Sequence, residues 1–320
     1  MFARRHPQRT GAIIVMVALC LCSIACEELT PAGISAISPA NSPQSDADDW
    51  SSYWEETRDL GGYQGVHLNW DTSGAGNIPA TILTTLAAGL RPVVVLGVTS
   101  ALDDPLKQDQ LRSMLTTLVT EYDIEYLGLG NEIDRNSRAW ELAAFIDGLA
   151  TFVHSLGTST QVFTVFHYEH MLDFLDPVGL VAAVPNVDLV AFSSYPFLRY
   201  TSPVDIPADY YARLMDWTTK AIAFTEIAWP SRMNHPGYPT IRGSESDQVT
   251  FIQRFRAELT AGLPVLFANW YALHDTSNWY ESDPLADFKQ VFASCGLMRN
   301  GTDAKPALAV WTGQGTTPPA

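Results

Sequence analysis

Eight short apolar runs recur along the chain, and the stretches between them carry apolar residues at helical spacing. This alternation restricts the fold more than any other feature. The runs are GISAIS (33–38), GVHLNW (65–70), PVVVLGV (92–98), YLGLGN (126–131), QVFTVF (161–166), VDLVAFSSY (187–195), AIAFTE (221–226) and PVLFANWYAL (264–273). Between them lie helical patterns such as PATILTTLAAGL, PLKQDQLRSMLTTLVTEY, SRAWELAAFIDGLATFVHSL and ESDQVTFIQRFRAELTAGL, with Gly or Pro near their ends. Regular alternation of this kind is the mark of a parallel sheet covered by helices. Eight units in a 320-residue chain predict an α/β fold of the (β/α)8 TIM-barrel type. A doubly wound sheet would use fewer strands, and no Gly-rich phosphate loop opens any helix. The first unit is the least regular, because the polar PANSPQSDADD separates its strand from the helical stretch around Trp50 to Arg58. Tyr53 and Trp54 in that stretch are expected in the core.

The start of the chain has a different character. Arg4, Arg5 and Arg9 precede an apolar segment, Gly11 to Leu21, which has the length of a signal-peptide core and is short for a membrane span. The segment closes in CSIAC, which resembles a bacterial lipobox with Cys26 as the lipidated first residue of the mature chain; Ser23 stands where leucine is usual. Ordinary cleavage near Ala25 is the alternative. The expected organisation is a signal peptide over 1–25, a lipid-anchored tether over 26–32 and one catalytic domain over 33–320. Either form of cleavage implies export: a lipoprotein of the cell envelope or surface, or a secreted protein.

Charge and cysteine content narrow the partners. The net charge is −16, or −19 with the three arginines of the leader set aside. Such a surface repels nucleic acid and anionic lipid and favours a neutral ligand over an acidic polymer. Of four cysteines, Cys20 and Cys22 lie in the leader and Cys26 at its end, which leaves Cys295 alone, without a disulfide framework.

In a barrel of this type the reactive groups come from the C-terminal ends of the strands. Two runs end in glutamate: Glu132 in GNE after the fourth, Glu226 in FTEIAWPS on the seventh. Strands four and seven are nearly opposite around an eight-strand ring, so the two carboxylates can meet over its mouth. Paired carboxylates are what glycosidic bond cleavage needs, and a separation of about 5 Å marks the retaining mechanism. Gly128 and Gly130 share the face of Glu132 by two-residue alternation, which predicts open space beside it. The alternative is that each glutamate caps a helix or forms an ion pair.

The motifs GNE, SSYP and TEIAWPS, with NWYALHD on the eighth strand, resemble those of clan A glycoside hydrolases. The likeness spans most of the mature chain and includes its end, GLMRNGTDAKPALAVW. VDLVAFSSYPFL is most similar to endo-β-1,4-galactanases (family 53), and EIAWPS to β-1,3-glucanases (family 17). The resemblance implies Glu132 as general acid/base, Asn131 as the partner of the sugar 2-hydroxyl, Glu226 as nucleophile, Tyr195 as its hydrogen-bond donor and Trp270 as the floor beneath the sugar. Several families of the clan carry an arginine near the nucleophile; here GVHLNWD offers His67, Asn69 and Trp70. No cofactor is implied.

Further candidates follow from position. His167 ends the fifth strand, where it suits a sugar hydroxyl; with Glu169 and His170 in HYEH it also raises a metal reading, although the spacing is not that of a helical zinc pair. Trp229, His274 and Trp279 are candidate sugar contacts, since aromatic rings with polar edges suit sugar faces. No G-x-S-x-G elbow occurs, which sets a serine hydrolase aside. The sequence therefore points to an exported, monomeric, retaining endo-β-glycosidase acting on a neutral polysaccharide such as β-1,4-galactan or β-1,3-glucan. A transglycosylase and a non-catalytic glycan-binding barrel are the alternatives.

Overall fold

Each of the eight runs folds as a strand, and the strands pair in parallel in chain order to close a barrel. The computed structural model describes residues 32–36, 53–54, 57–58, 62–69, 78–232, 241–275, 290–299 and 303–313. The strands are β1 (Ala32–Ala36), β2 (Tyr63–Asn69), β3 (Arg91–Gly97), β4 (Tyr126–Leu129), β5 (Gln161–His167), β6 (Leu189–Ser194), β7 (Ala221–Ile227) and β8 (Val265–Trp270). The longer helices are α1 (Ile78–Ala87), α2 (Pro105–Thr120), α3 (Ala139–Ser155), α4 (Pro177–Ala182), α5 (Glu245–Thr260) and α6 (Pro306–Trp311). The leader, Cys26 and the tether up to Pro31 lie outside the described residues.

Local chemistry accounts for the helix starts. Asp104 accepts from the backbone N–H groups of Leu106 and Lys107, with Pro105 in the first turn of α2. Asp176 caps α4 through Gly179, and Ser244 caps α5 through Asp247. Each such cap stabilises its helix by about 0.5–2 kcal/mol.

Two apolar layers result from the strand alternation. Inside the barrel, Tyr63, Tyr126 and Phe267 meet ring against ring with centroids 4.9 to 5.1 Å apart, and Phe163 joins Phe267 at 6.1 Å. All four stand early in their strands, so they plug the N-terminal end and leave the opposite mouth for polar groups. Outside, Leu127, Leu129, Phe192 and Phe224 face the helices in a continuous core that includes Tyr53 and Trp54, as expected, and buried Cys295. The indole N–H of Trp311 in α6 donates to the carbonyl of Gly33 (3.1 Å), tying the last helix to the first strand.

The fourth strand stops earlier than its sequence suggests. Gly130 has φ +82° and Glu132 φ 47°, ψ 50°, both in the left-handed region, so the two-residue alternation ends at Leu129. Gly128 and Gly130 therefore do not share a face with Glu132. A Cβ at Gly128 would lie 2.7 Å from the Phe163 ring inside the barrel, and one at Gly130 would strike Ile133 and Ile146 on the outside. The expected open space is filled by Phe163 on one side and by Ile133 and Ile146 on the other.

Candidate active site

At the mouth, β5, β6 and β7 align His167, Ser193 and Glu226 in one row, each the register partner of the next. This row depends on an irregularity. Phe192 pairs with Phe224 but Ser193 pairs with Glu226, which leaves Thr225 as an extra residue in β7. Simple alternation from inward-facing Ala223 would send Glu226 toward the helices. The bulge reverses the phase and aims it into the barrel, a common use of bulges beside reactive sites.

Glu226 is buried and held from two sides: His67 Nδ1 lies 2.9 Å from Oε1, and the Tyr195 hydroxyl donates to Oε2. Burial pushes the carboxyl upward, but the charge and hydrogen bond of His67 and the Tyr195 hydroxyl outweigh it and hold it below the usual range. For His67, burial favours the neutral ring; the charge and hydrogen bond of Glu226 and the charge of Glu132 prevail and raise its pKa. Burial and then the charges of Glu226 and Glu132 push the Tyr195 phenol well above its ordinary value. Ser193, the register partner of Glu226, also bonds Glu132, which puts the two carboxylates in one site. His67, which the sequence offers near the nucleophile where several clan families carry an arginine, is the residue that pairs with Glu226.

Glu132 stands on the loop after β4 in its left-handed conformation. Its Oε1 accepts from the Ser193 hydroxyl (2.7 Å) and its Oε2 from Arg135 (2.9 Å). The loop is fixed by buried Asp134, which accepts from the backbone N–H of His167 (2.7 Å) and pairs with His170 Nδ1 (2.7 Å). Asn131 beside it is exposed. Strain at a non-glycine residue such as Glu132 costs on the order of 1–3 kcal/mol and persists where surrounding bonds enforce it.

HYEH turns its side chains in different directions. His167 Nδ1 accepts from the His170 backbone N–H (3.0 Å), which places the proton of a neutral ring on Nε2. Glu169 points into a buried network, accepting from the Ser194 hydroxyl (2.7 Å), the Tyr210 hydroxyl (3.1 Å) and the Tyr195 backbone N–H (2.8 Å). It therefore supports the residue that donates to Glu226. Burial raises the Glu169 carboxyl despite these bonds. Among the described residues no three His, Cys, Asp or Glu side chains are grouped to hold a metal ion.

Two predicted sugar contacts are core residues instead. Trp270 is fully buried on the outer face of β8, between Phe251 and Trp311, with its indole N–H donating to the carbonyl of Cys295 (2.7 Å). Trp229 is likewise buried against Phe197 and Phe251. The reason is parity: Phe267 faces inward on β8, so Asn269 and Tyr271 follow it and Trp270 cannot. Tyr271, partly buried, sets its ring 6.1 Å from Tyr195 and 5.8 Å from Phe292, beside the tyrosine that donates to Glu226. His274 is partly buried with its ring 6.2 Å from Tyr53. Asn69 closes β2, its side chain outside the described set along with Trp70 and Trp279.

The loops after β7 and β8 are joined by Lys305. Its ammonium group, in a residue 2% exposed, bonds Asp275 Oδ1 (2.6 Å), the Ser231 hydroxyl (2.8 Å) and the carbonyls of Gly296 (2.7 Å) and Ser294 (3.2 Å). Burial lowers the Lys305 pKa and raises that of Asp275, each partly offset by the other.

No family model and no curated protein matches the sequence. Solved structures share its fold. GH5_18 from Bifidobacterium longum subsp. longum ATCC 55813 superposes with a TM-score of 0.61 at 13% identity, over 89% of this chain and 78% of that one. Xylanase 10B from Thermotoga petrophila RKU-1, in complex with xylobiose, gives 0.60 at 11% identity, over 90% and 94%. A family 10 endo-β-1,4-xylanase from Gloeophyllum trabeum gives 0.58 at 13% identity, over 89% and 96%. These neighbours are glycoside hydrolases on TIM barrels, and at such identities the likeness is one of fold.

Proposed function

We propose that the protein is a retaining endo-β-glycosidase. The observation that carries this reading is the arrangement at Ser193, which stands beside Glu226 in register and donates to Glu132. Two carboxylates are thereby held at the mouth of a barrel in unlike environments, one buried between His67 and Tyr195, the other on the rim. Glu226, kept ionised by His67 and Tyr195, attacks the anomeric carbon; Glu132 protonates the departing glycosidic oxygen. The glycosyl ester on Glu226 is then released by water, whose proton passes to Glu132. His167 at the end of β5 and Tyr271 after β8 bound the sugar from either side of the pair. The glycosyl unit cut at this centre is uncharged, because an anionic sugar would meet two carboxylates.

The fold shared with glycoside hydrolases supports the reaction class, and the likeness of SSYP and AWPS to galactanase and β-1,3-glucanase motifs supports those two glycans as first candidates. Asn131, His274 and Trp279 are proposed contacts of the bound glycan, with Asn69 beside His67. The leader and Cys26 support export and attachment to the cell envelope by lipid. The test is release of reducing ends by the mature protein from β-1,4-galactan, β-1,3-glucan, mixed-linkage glucan and β-mannan, with Glu226→Ala as control. Cleavage of one polymer that vanishes in the variant is the expected result. Binding without cleavage would make the barrel a glycan-binding protein, and longer products in place of new reducing ends a transglycosylase.

A further inference from the structure

The bond between Arg135 and Glu132 raises a difficulty for any glycosidase built on this site. A general acid must carry a proton when substrate is bound, yet Glu132 accepts from two donors, the Ser193 hydroxyl at 2.7 Å and the Arg135 guanidinium at 2.9 Å. Both carboxylate oxygens are thus occupied, and delivering a proton to the departing oxygen needs one of them free to face the substrate. The acid can work only after Arg135 has let go.

The surroundings make release feasible and suggest what provokes it. The Glu132 side chain is 19% exposed and that of Arg135 51%, so the pair lies at the open mouth, where water weakens it. Arg135 uses a single nitrogen on Glu132, whereas nearby Arg138 is spent on both Asp103 and Glu141. A guanidinium offers five N–H donors in a fork that matches a carboxylate. A neutral hydroxyl arriving at Arg135 would have to compete with the charge of Glu132. An arriving carboxylate replaces that charge in kind, so Arg135 keeps an anionic partner and Glu132 is freed to hold its proton.

We propose that Arg135 is a specificity-determining residue that binds a carboxylate on the leaving-group side of the glycan, exchanging its bond to Glu132 for one to the substrate. This rests on the reading of Glu132 as the acid, which fixes Arg135 on the side of the departing sugar and away from Glu226 and His67. The substrate class is then a β-glycan whose cleaved sugar is neutral and whose neighbour on the leaving side bears an acid group, such as a uronic acid. The net charge of −16 disfavours a polymer acidic throughout, whereas an isolated acid group beside Arg135 feels it little, since charges farther than about 10 Å are largely screened at moderate salt.

The experiment compares phenyl and 4-carboxyphenyl β-glycosides of glucose, galactose, xylose and mannose, binding by calorimetry to the full mature protein carrying Glu226→Gln. The expected result is a preference of about tenfold for the carboxylated ligand with at least one sugar. Arg135→Gln in the same background brings the ratio of the two affinities to about one; Arg135→Lys, with the charge but not the fork, retains part of the preference. Equal affinity for the two ligands, no binding of the carboxylated ones at millimolar concentration, or a preference that survives Arg135→Gln overturns the assignment. Because binding needs no turnover, the two readings fail separately. A carboxylate preference in a protein that releases no reducing ends sinks the glycosidase reading alone, and release of reducing ends without the preference sinks this one alone.

Discussion

Ser193 of β6 is the register partner of Glu226 on β7, and its hydroxyl reaches across to Glu132 beyond β4. One small side chain therefore spaces the two carboxylates, and their unlike settings assign them unlike tasks. Glu226→Ala should abolish turnover of polysaccharide. Glu132→Ala should slow it by about 10²–10⁴-fold while leaving dinitrophenyl glycosides, which need no proton on departure, within about tenfold. Steady-state rates on both substrate types check this; equal loss by the two variants on both would contradict the roles.

The His67–Glu226 pair makes stability depend on pH. His67 is raised in the folded state, so its contribution is complete below its ordinary value of 6.5 and fades as pH climbs through the higher folded value. Glu226 is lowered, so its contribution is complete above its ordinary value of 4.5 and fades as pH falls through the lower folded value. The pair stabilises most between 4.5 and 6.5. His67→Gln should cost about 1–3 kcal/mol in that window and clearly less well above it. Thermal melts of both proteins across pH test this, and a constant difference would dissociate His67 from the charge of Glu226.

Tyr271 and the two buried tryptophans separate in their expected effects. Tyr271→Ala should raise KM with little change in melting temperature. Trp229→Phe and Trp270→Phe should each lower stability by about 1–3 kcal/mol and leave KM unchanged, since both rings are buried in the outer core. Kinetics and melts on the three variants decide whether Tyr271 or a tryptophan meets the sugar.

Lys305 holds loops together from inside. Lys305→Met leaves the largely enclosed Asp275 carboxylate with only the longer cationic contact to Arg232 (3.7 Å) and should cost up to about 3–5 kcal/mol. Adding Asp275→Asn should return part of that loss, which a double-mutant cycle measures; a purely additive result would show the two to be independent.

The barrel was legible because its strands are buried on both faces and its helices carry their own caps, so run length and punctuation alone marked the units. Glu132 and Glu226 were legible as strand-end carboxylates, but their aim was not. Counting by twos from Ala223 turns Glu226 the wrong way, and only the extra residue at Thr225 corrects it, which depends on pairing with β6. Trp229 and Trp270 were misassigned because an indole suits a sugar and a core equally well. For Trp270 the inward Phe267 carried a usable signal, since the same count selects Tyr271. Ser193 and Arg135 carry no signal of their own, because each matters only through Glu132, brought near by the tight left-handed turn.

The hydrogen bond from Trp311 to Gly33 joins residues 278 positions apart. A chain that emerges N-terminus first cannot make that bond until Trp311 has appeared, or the β1–β8 pairing beside it until β8 has. Through most of that time β1 has β2 as its only sheet neighbour and an open edge on the other side, the kind of edge that recruits foreign strands. Closure is thus a long-range event of the slow kind, and the chain must be kept from pairing elsewhere until β8 and α6 arrive.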